Sequence, residues 1–323
     1  MIRRKTVLIL GAGASWHLGY PTGEELVRGI IRTIENSVVD HPQIPRLQQR
    51  LNEFAMMESF ADMLDSHAAK NIDLFLNSSP EFSEIGRILI INELLKREKL
   101  TRSGALQLRS RNIYNWYGIL KEALMTDLSA PDDFLKNQLS IITFNYDISL
   151  DYFLNKTLRE TSFIKGVVDE YLNKLEIIHI YGKIDNPYDD YGRYGKQSTT
   201  GNDTMSYYQA RKLKDGIHVI GEQKQNELQE DSAVLRAKEL IKDAERAFIF
   251  GYGFDKNNSR LIRLNSLNDL DKEVYCTNYG DSQTVETEIK KLCSIKLFST
   301  KPPIITAKGV YEALSEANFN LES

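Results

Sequence analysis

The sequence predicts an α/β protein: a mostly parallel sheet flanked by helices, with a large helical insertion after the first strand. Three observations predict it. Short apolar runs recur along the chain and break into glycine or polar turns, as the buried strands of a parallel sheet do. Helical patterns alternate with the later runs. The longest gap between two runs carries apolar residues at helical spacing throughout.

The first run is Thr6-Val7-Leu8-Ile9-Leu10, followed by Gly11-Ala12-Gly13-Ala14-Ser15. Glycines at a strand's carboxyl end let the backbone approach a ligand closely. N–H groups at a following helix start suit a phosphate. Trp16 to Gly23 is turn-rich; Thr22 caps a helix with Glu24 and Glu25 in its first turn. Leu26, Val27, Ile30, Ile31 and Ile34 continue at helical spacing. The pattern stays helical from about residue 45 to 126, through Leu47, Leu51, Phe54, Met57, Leu64, Ile72 to Leu76, Ile88 to Leu95 and Trp116 to Met125.

A second strand, Leu139 to Phe144, ends in Asn145-Tyr146-Asp147, and a third, Leu175 to Tyr181, ends at Gly182. A weaker fourth signal covers Ile217 to Ile220. The fifth, Arg246 to Phe250, ends in Gly251-Tyr252-Gly253-Phe254-Asp255. The sixth, Glu273 to Cys276, ends in Thr277-Asn278. Asp185 to Thr204 is rich in Tyr, Asp, Gly, Ser and Thr and reads as a long flexible loop or lid. With neither repeat nor linker, the expected organisation is one domain over 1–323, its helical insertion at about 36–135 and its flexible loop at about 185–215. Three strand ends carry glycine or polar signatures, and ligands of open α/β sheets sit outside the carboxyl ends of the strands. The expected architecture is therefore Rossmann-like.

Composition removes several classes. The 41 basic and 45 acidic residues give a formal charge of −4, which argues against a general nucleic-acid binder. No apolar run approaches the roughly 20 residues a membrane-spanning helix needs. The N-terminal apolar run is too short for a signal peptide, so the expected location is cytoplasmic. Arg3-Arg4-Lys5 reads as a solvated strand end. Two cysteines, Cys276 and Cys293, supply neither a disulfide framework nor a four-cysteine zinc site, and no metal is expected.

Gly11-Ala12-Gly13 fails the dehydrogenase fingerprint, because Trp16 stands where a third Gly or Ala belongs. Helices follow where that fingerprint expects a strand ending in a ribose-binding acid. No Gly-Lys-Ser/Thr element supports a P-loop. The ordered set is more specific than any one motif. The Gly-Ala-Gly-Ala-Ser loop, Gly19-Tyr20-Pro21-Thr22, Asn71 to Leu76, Thr143-Phe144-Asn145-Tyr146-Asp147, His179-Ile180-Tyr181-Gly182, Phe250 to Asp255 and the late strand ending at Asn278 occur in sequence along nearly the whole chain. In this it resembles the SIR2-like family, bacterial relatives of sirtuins that bind NAD.

The resemblance implies roles. Gly11, Ala12, Gly13 and Ser15 would cradle the pyrophosphate, and Pro21 and Thr22 would cover the nicotinamide-ribose side. Asn145 and Asp147, beside Thr143, would lie near nicotinamide and its ribose. His179 would be the catalytic histidine, and Gly251, Gly253 and Asn278 would line the adenosine half. Two departures stand out. The deacylases' zinc module is missing, and their catalytic His directly precedes Gly, whereas here Tyr181 intervenes. Residues two apart on a strand share a face, so His179 still reaches the same cleft.

Taken alone, a histidine on an apolar strand reads as a core residue, and Asn145 as a turn former. His17 reads as a solvated loop residue, with a ligand contact as the alternative. His218 reads as structural, and His41 and His67 as surface positions. Asp73 reads either as a helix-start acid or as a site residue. Tyr188, Tyr191, Tyr194, Tyr207 and Tyr208 belong to the flexible stretch, with base stacking as the alternative.

The activity implied is NAD+ hydrolysis to ADP-ribose and nicotinamide, with Asn145 orienting water, His179 as base and Asp147 holding the ribose or its neighbours. The family's branch implies an effector of anti-phage defence controlled by homo-oligomerisation or by a sensor or activator partner. The alternatives are a non-catalytic NAD or ADP-ribose sensor or regulatory subunit, and an ADP-ribosyl- or acyl-transferring relative.

Overall fold

The computed structural model describes residues 1–39, 47–67, 69, 71–108, 115–184, 210–218, 231–268, 272–293, 302–316 and 319–321. The chain divides into two compact units. One comprises Met1–His17, Arg111–Ile180 and Gln229–Ser323; the other comprises Leu18–Ser110 and Tyr181–Leu228.

The first unit holds the sheet: β1 (Thr6–Leu10), β2 (Leu139–Thr143), β3 (Glu176–His179), β4 (Arg246–Phe250), β5 (Glu273–Thr277) and β6 (Ile304–Thr306). The strands run in the order β3-β2-β1-β4-β5-β6, and every adjacent pair is parallel. This is the Rossmann-like order, with its reversal between β1 and β4. β1 and β4 are buried at every position, their apolar stretches Val7 to Leu10 and Ala247 to Phe250 suiting a strand covered on both faces, while the edge strands β3 and β6 are only partly covered.

The helices between β1 and β2 are α1 (Gly23–Val39), α2 (Leu47–Ser66), α3 (Ile72–Ser78), α4 (Ser83–Leu108) and α5 (Trp116–Met125). Later come α6 (Ser149–Arg159), α7 (Val168–Lys174), α8 (Ser232–Asp243), α9 (Lys256–Leu261), α10 (Gln283–Cys293) and α11 (Val310–Ser315). Those from α5 onward belong to the sheet unit, where α5 packs on α6 and α11. Two segments stand apart from the expected strands. Ile217 makes only an isolated antiparallel bridge with Gly182, and residues 219 and 220 lie outside the described part. β6 was not anticipated: three residues after Pro302-Pro303 are too few to show a period.

The far end of the sheet is fastened to the C-terminal segment. Phe319 is buried and lies parallel to Phe250, centroids 6.3 Å apart. The buried Arg246 donates to the carbonyl oxygens of Asn320 (3.2 Å) and Leu321 (2.9 Å). A buried cation needs such partners, and charged donors to carbonyls supply them.

In the second unit, the centre of α4 from Ile88 to Leu95 is buried on every side, Asn92 and Glu93 included. Glu93 accepts from Thr33 Oγ1 and from Lys96 Nζ (3.0 Å), and Lys96 also donates to Thr33 (2.8 Å). Gly29 makes room for it: a Cβ there would stand 2.9 Å from Glu93 Oε2. Phe60, Phe75 and Phe82 cluster at 5.3–6.3 Å. At the start of α1, Glu25 reaches back to Thr22, whose N and Oγ1 both donate to Glu25 Oε2 (2.8 and 2.9 Å), the reciprocal half of a capping box. Asp73 stands in the first turn of α3, which Asn71 caps.

Candidate active site at the strand ends

Four strands of the sheet unit end on one level. Leu10 is opposite Thr143 on one side and Phe250 on the other, and Thr143 is opposite His179. The polar residues that follow are thereby set side by side at the point where the strand order reverses.

The turns after β1 and β4 lie backbone against backbone. Gly11 N donates to Phe250 O and Gly13 N to Gly251 O, both at 3.0 Å. A Cβ on Gly251, whose φ is +57°, would stand 2.1 Å from Ala14 N. One on Gly11 would stand 2.6 Å from Gly251 O, and one on Gly13 2.9 Å from Gly251 Cα. The glycines are thus required by the approach of the two turns. Ala14 N and Ser15 N also bond inside the loop, to Gly11 O (2.9 Å) and Ala12 O (3.2 Å). The loop's carbonyl at Ala14 receives Trp116 Nε1 (2.8 Å) and His17 Nδ1 (3.1 Å). His17 is therefore packed rather than solvated, edge-on to Tyr117 at 4.9 Å, and burial pushes its imidazole down to about 4.

The ends of β2 and β3 present side chains instead. Asn145 Nδ2 donates to Gly11 O (3.1 Å) and Ser15 Oγ (3.0 Å), and Asn145 N donates to Thr143 Oγ1 (3.0 Å). His179 Nδ1 donates to Asn145 O at 2.9 Å, the carbonyl fixing which nitrogen carries that proton. Nε2 of the same ring lies 3.2 and 3.4 Å from the Asp151 carboxylate oxygens. The His179 side chain is 4% exposed and that of Asp151 23%.

Behind this row lies a buried network. Asp147 accepts from Ser149 N (3.1 Å) and Ser149 Oγ, and that hydroxyl shares a hydrogen bond with Tyr117 OH (2.7 Å). Ser15, Asp147 and Ser149 are all buried. Burial raises the Asp147 carboxyl above the usual carboxylate range, against the lowering effect of its bonds to Ser149 and Ser15. Burial likewise pushes the Tyr117 hydroxyl up. Such networks are rigid when satisfied and costly when broken.

Of the residues the sequence singled out, Gly11, Gly13, Ser15, Thr143, Asn145, Asp147, His179 and Gly251 come together here, with Ala12 in the same loop. Gly253 is exposed in the turn after β4. Asn278 is buried and closes the turn after β5, its Nδ2 donating to Ser282 O at 3.0 Å. Pro21 and Thr22 belong to the other unit. Three participants escaped the sequence reading: Asp151, Ser149 and Tyr117. Asp151 was camouflaged, since an acid in the first turn of α6 needs no other explanation.

Trp16 and Tyr279, 55% and 76% exposed, follow β1 and β5 and hold their rings 6.4 Å apart. The stretch from Asp185 to Thr204, its tyrosines, Tyr207, Tyr208 and His41 lie outside the described residues, as does the Cys293 side chain; Cys276 is a buried thiol. Among the described residues, no three His, Cys, Asp or Glu side chains are grouped as a metal ion would need, and no helix is long and apolar enough to cross a membrane. No protein-family model and no curated protein sequence matches the chain.

Proposed function

We propose that this protein hydrolyses NAD+ to ADP-ribose and nicotinamide. One observation carries the reading: Asn145, hydrogen-bonded to Gly11 O and Ser15 Oγ, bears His179 on its own carbonyl, at the carboxyl edge where the strand order reverses. That edge is where α/β sheets of this order take dinucleotides, a fold-level analogy.

Nicotinamide departs as a neutral ring from a cationic nitrogen, so the site must steady an electron-poor ribose and position water. With Nδ2 of Asn145 held by Gly11 and Ser15, its Oδ1 is the end that orients the water. With Nδ1 held by Asn145 O, His179 acts as the acid–base group only through the Nε2 proton that faces Asp151, a contribution of about 10²–10⁴ in rate. Asp147 acts by holding Ser149 and Ser15 rather than by reaching the sugar, because it is buried among them. The exposed Trp16 and Tyr279 rings offer a face to a planar base. The resemblance to the SIR2-like family adds a setting: an effector of anti-phage defence in the cytoplasm, restrained until self-assembly or a partner protein switches it on.

The test is incubation with NAD+ and separation of the products. Free nicotinamide and ADP-ribose in equal amounts, abolished in His179→Ala and Asn145→Ala chains that stay folded, is the expected result. Unchanged NAD+ with saturable binding would make the protein a sensor. ADP-ribose attached to protein would make it a transferase.

A further inference from the structure

We infer that Asp151 is the positioning residue for His179, and that its carboxylate and the ring's Nε2 hold one proton between them. The kinetic consequence rests on the hydrolase reading; the shared proton does not. Both ring nitrogens of His179 face acceptors. Nδ1 meets the Asn145 carbonyl at 2.9 Å, and a carbonyl oxygen only accepts, so Nδ1 carries hydrogen. Nε2 meets both oxygens of Asp151, at 3.2 and 3.4 Å. A neutral ring protonated on Nδ1 would aim a bare lone pair at those oxygens, inside a site where the ring is 4% exposed. Low exposure strengthens that repulsion, and a proton between Nε2 and the carboxylate turns it into a charge-assisted hydrogen bond.

The consequence runs along the strand ends. A ring tied at both nitrogens cannot flip, so Asn145 O keeps one donor in one place. Asn145 in turn keeps its amide on Gly11 and Ser15. Asp147, the other carboxyl group interacting with the ring, is committed to Ser149 and leaves this task to Asp151. A carboxylate on one imidazole nitrogen fixes both the tautomer and the ring plane, and its loss can cost up to the acid–base contribution itself, about 10²–10⁴ in rate.

The experiment is nitrogen-15 spectroscopy of the histidine rings in the whole chain, paired with NAD+ kinetics. Five histidines are few enough for the His179 signals to be assigned by their disappearance in His179→Gln. Both ring nitrogens should be proton-bearing in the wild type. In Asp151→Asn, Nε2 should turn pyridine-like, with kcat for NAD+ down on the order of 10²-fold and KM within about twofold. Asp151→Glu should restore the shared proton and part of the rate. A pyridine-like Nε2 in the wild type overturns the proposal, whatever happens to NAD+ and whether or not the variants fold. So does an Asp151→Asn chain whose ring signals do not move. Absence of NAD+ turnover in the wild type would instead sink the hydrolase reading and leave the ring result to stand by itself.

Discussion

The two halves of the sheet finish differently. β1 and β4 end in glycine turns that meet backbone to backbone: Gly11 N and Gly13 N donate across, Ala14 N and Ser15 N bond inside the first turn, and Gly251 N donates to Thr277 Oγ1. β2 and β3 end in Asn145 and His179, whose side chains and carbonyls reach across to hold the first turn and to meet Asp151. The same edge of one sheet is thus divided between a backbone frame and a row of polar side chains. A glycine-rich strand end is commonly read as a ligand cradle, yet here the first demand on those glycines is the close packing of two turns.

Breaking the frame should have the largest effect on stability. Gly251→Ala places a Cβ where 2.1 Å separates it from Ala14 N, at a φ of +57°. We expect a loss of about 3 kcal/mol or more in chemical unfolding, since backbone cannot step aside as a side-chain tip can. A loss below about 1 kcal/mol would mean that the turns do not bear on each other.

Acid should act on the frame next. His17, with its pKa lowered from 6.5 to about 4 by burial, stays neutral while the unfolded chain takes up a proton. Stability from this group is therefore intact above pH 6.5, falls as pH drops from 6.5 towards 4, and levels off below. The full fall is about 3 kcal/mol. Asp147, raised by burial, works in the opposite sense, so the measure is the difference between wild type and His17→Gln over that window. Parallel pH curves for the two chains would remove His17 from the account.

The smallest effect concerns the rim. Trp16→Ala should raise KM for NAD+ about fivefold with kcat unchanged, the loss of a stacking face. An unchanged KM would mean that the Trp16–Tyr279 pair plays no part in binding.

The fold was legible where the chain repeats a strong local pattern. The runs at Thr6 to Leu10 and Arg246 to Phe250 coincide with β1 and β4, because a strand buried on both faces must be apolar throughout. The start of the helical block showed its period because one face of α1, Leu26, Val27, Ile30 and Ile34, is buried. β6 was illegible, with three residues on a half-exposed edge; of the expected strand at Ile217 to Ile220, only Ile217 and His218 are described, and Ile217 forms a bridge. Among the site residues, Asn145 and His179 were singled out by the ordered set of motifs, since taken alone they read as a turn former and a core residue. Asp151 was not, because its partnership depends on the register of β2 with β3 and on the start of α6. A lone residue does not reveal such a relation.

The division of labour between the two halves is tested most directly by the NAD+ consumption of His179→Ala beside its unfolding curve. The account predicts a chain destabilised by about 1–3 kcal/mol that still unfolds cooperatively, yet consumes NAD+ at least 10²-fold more slowly. A folded His179→Ala chain that consumes NAD+ at the wild-type rate would contradict it.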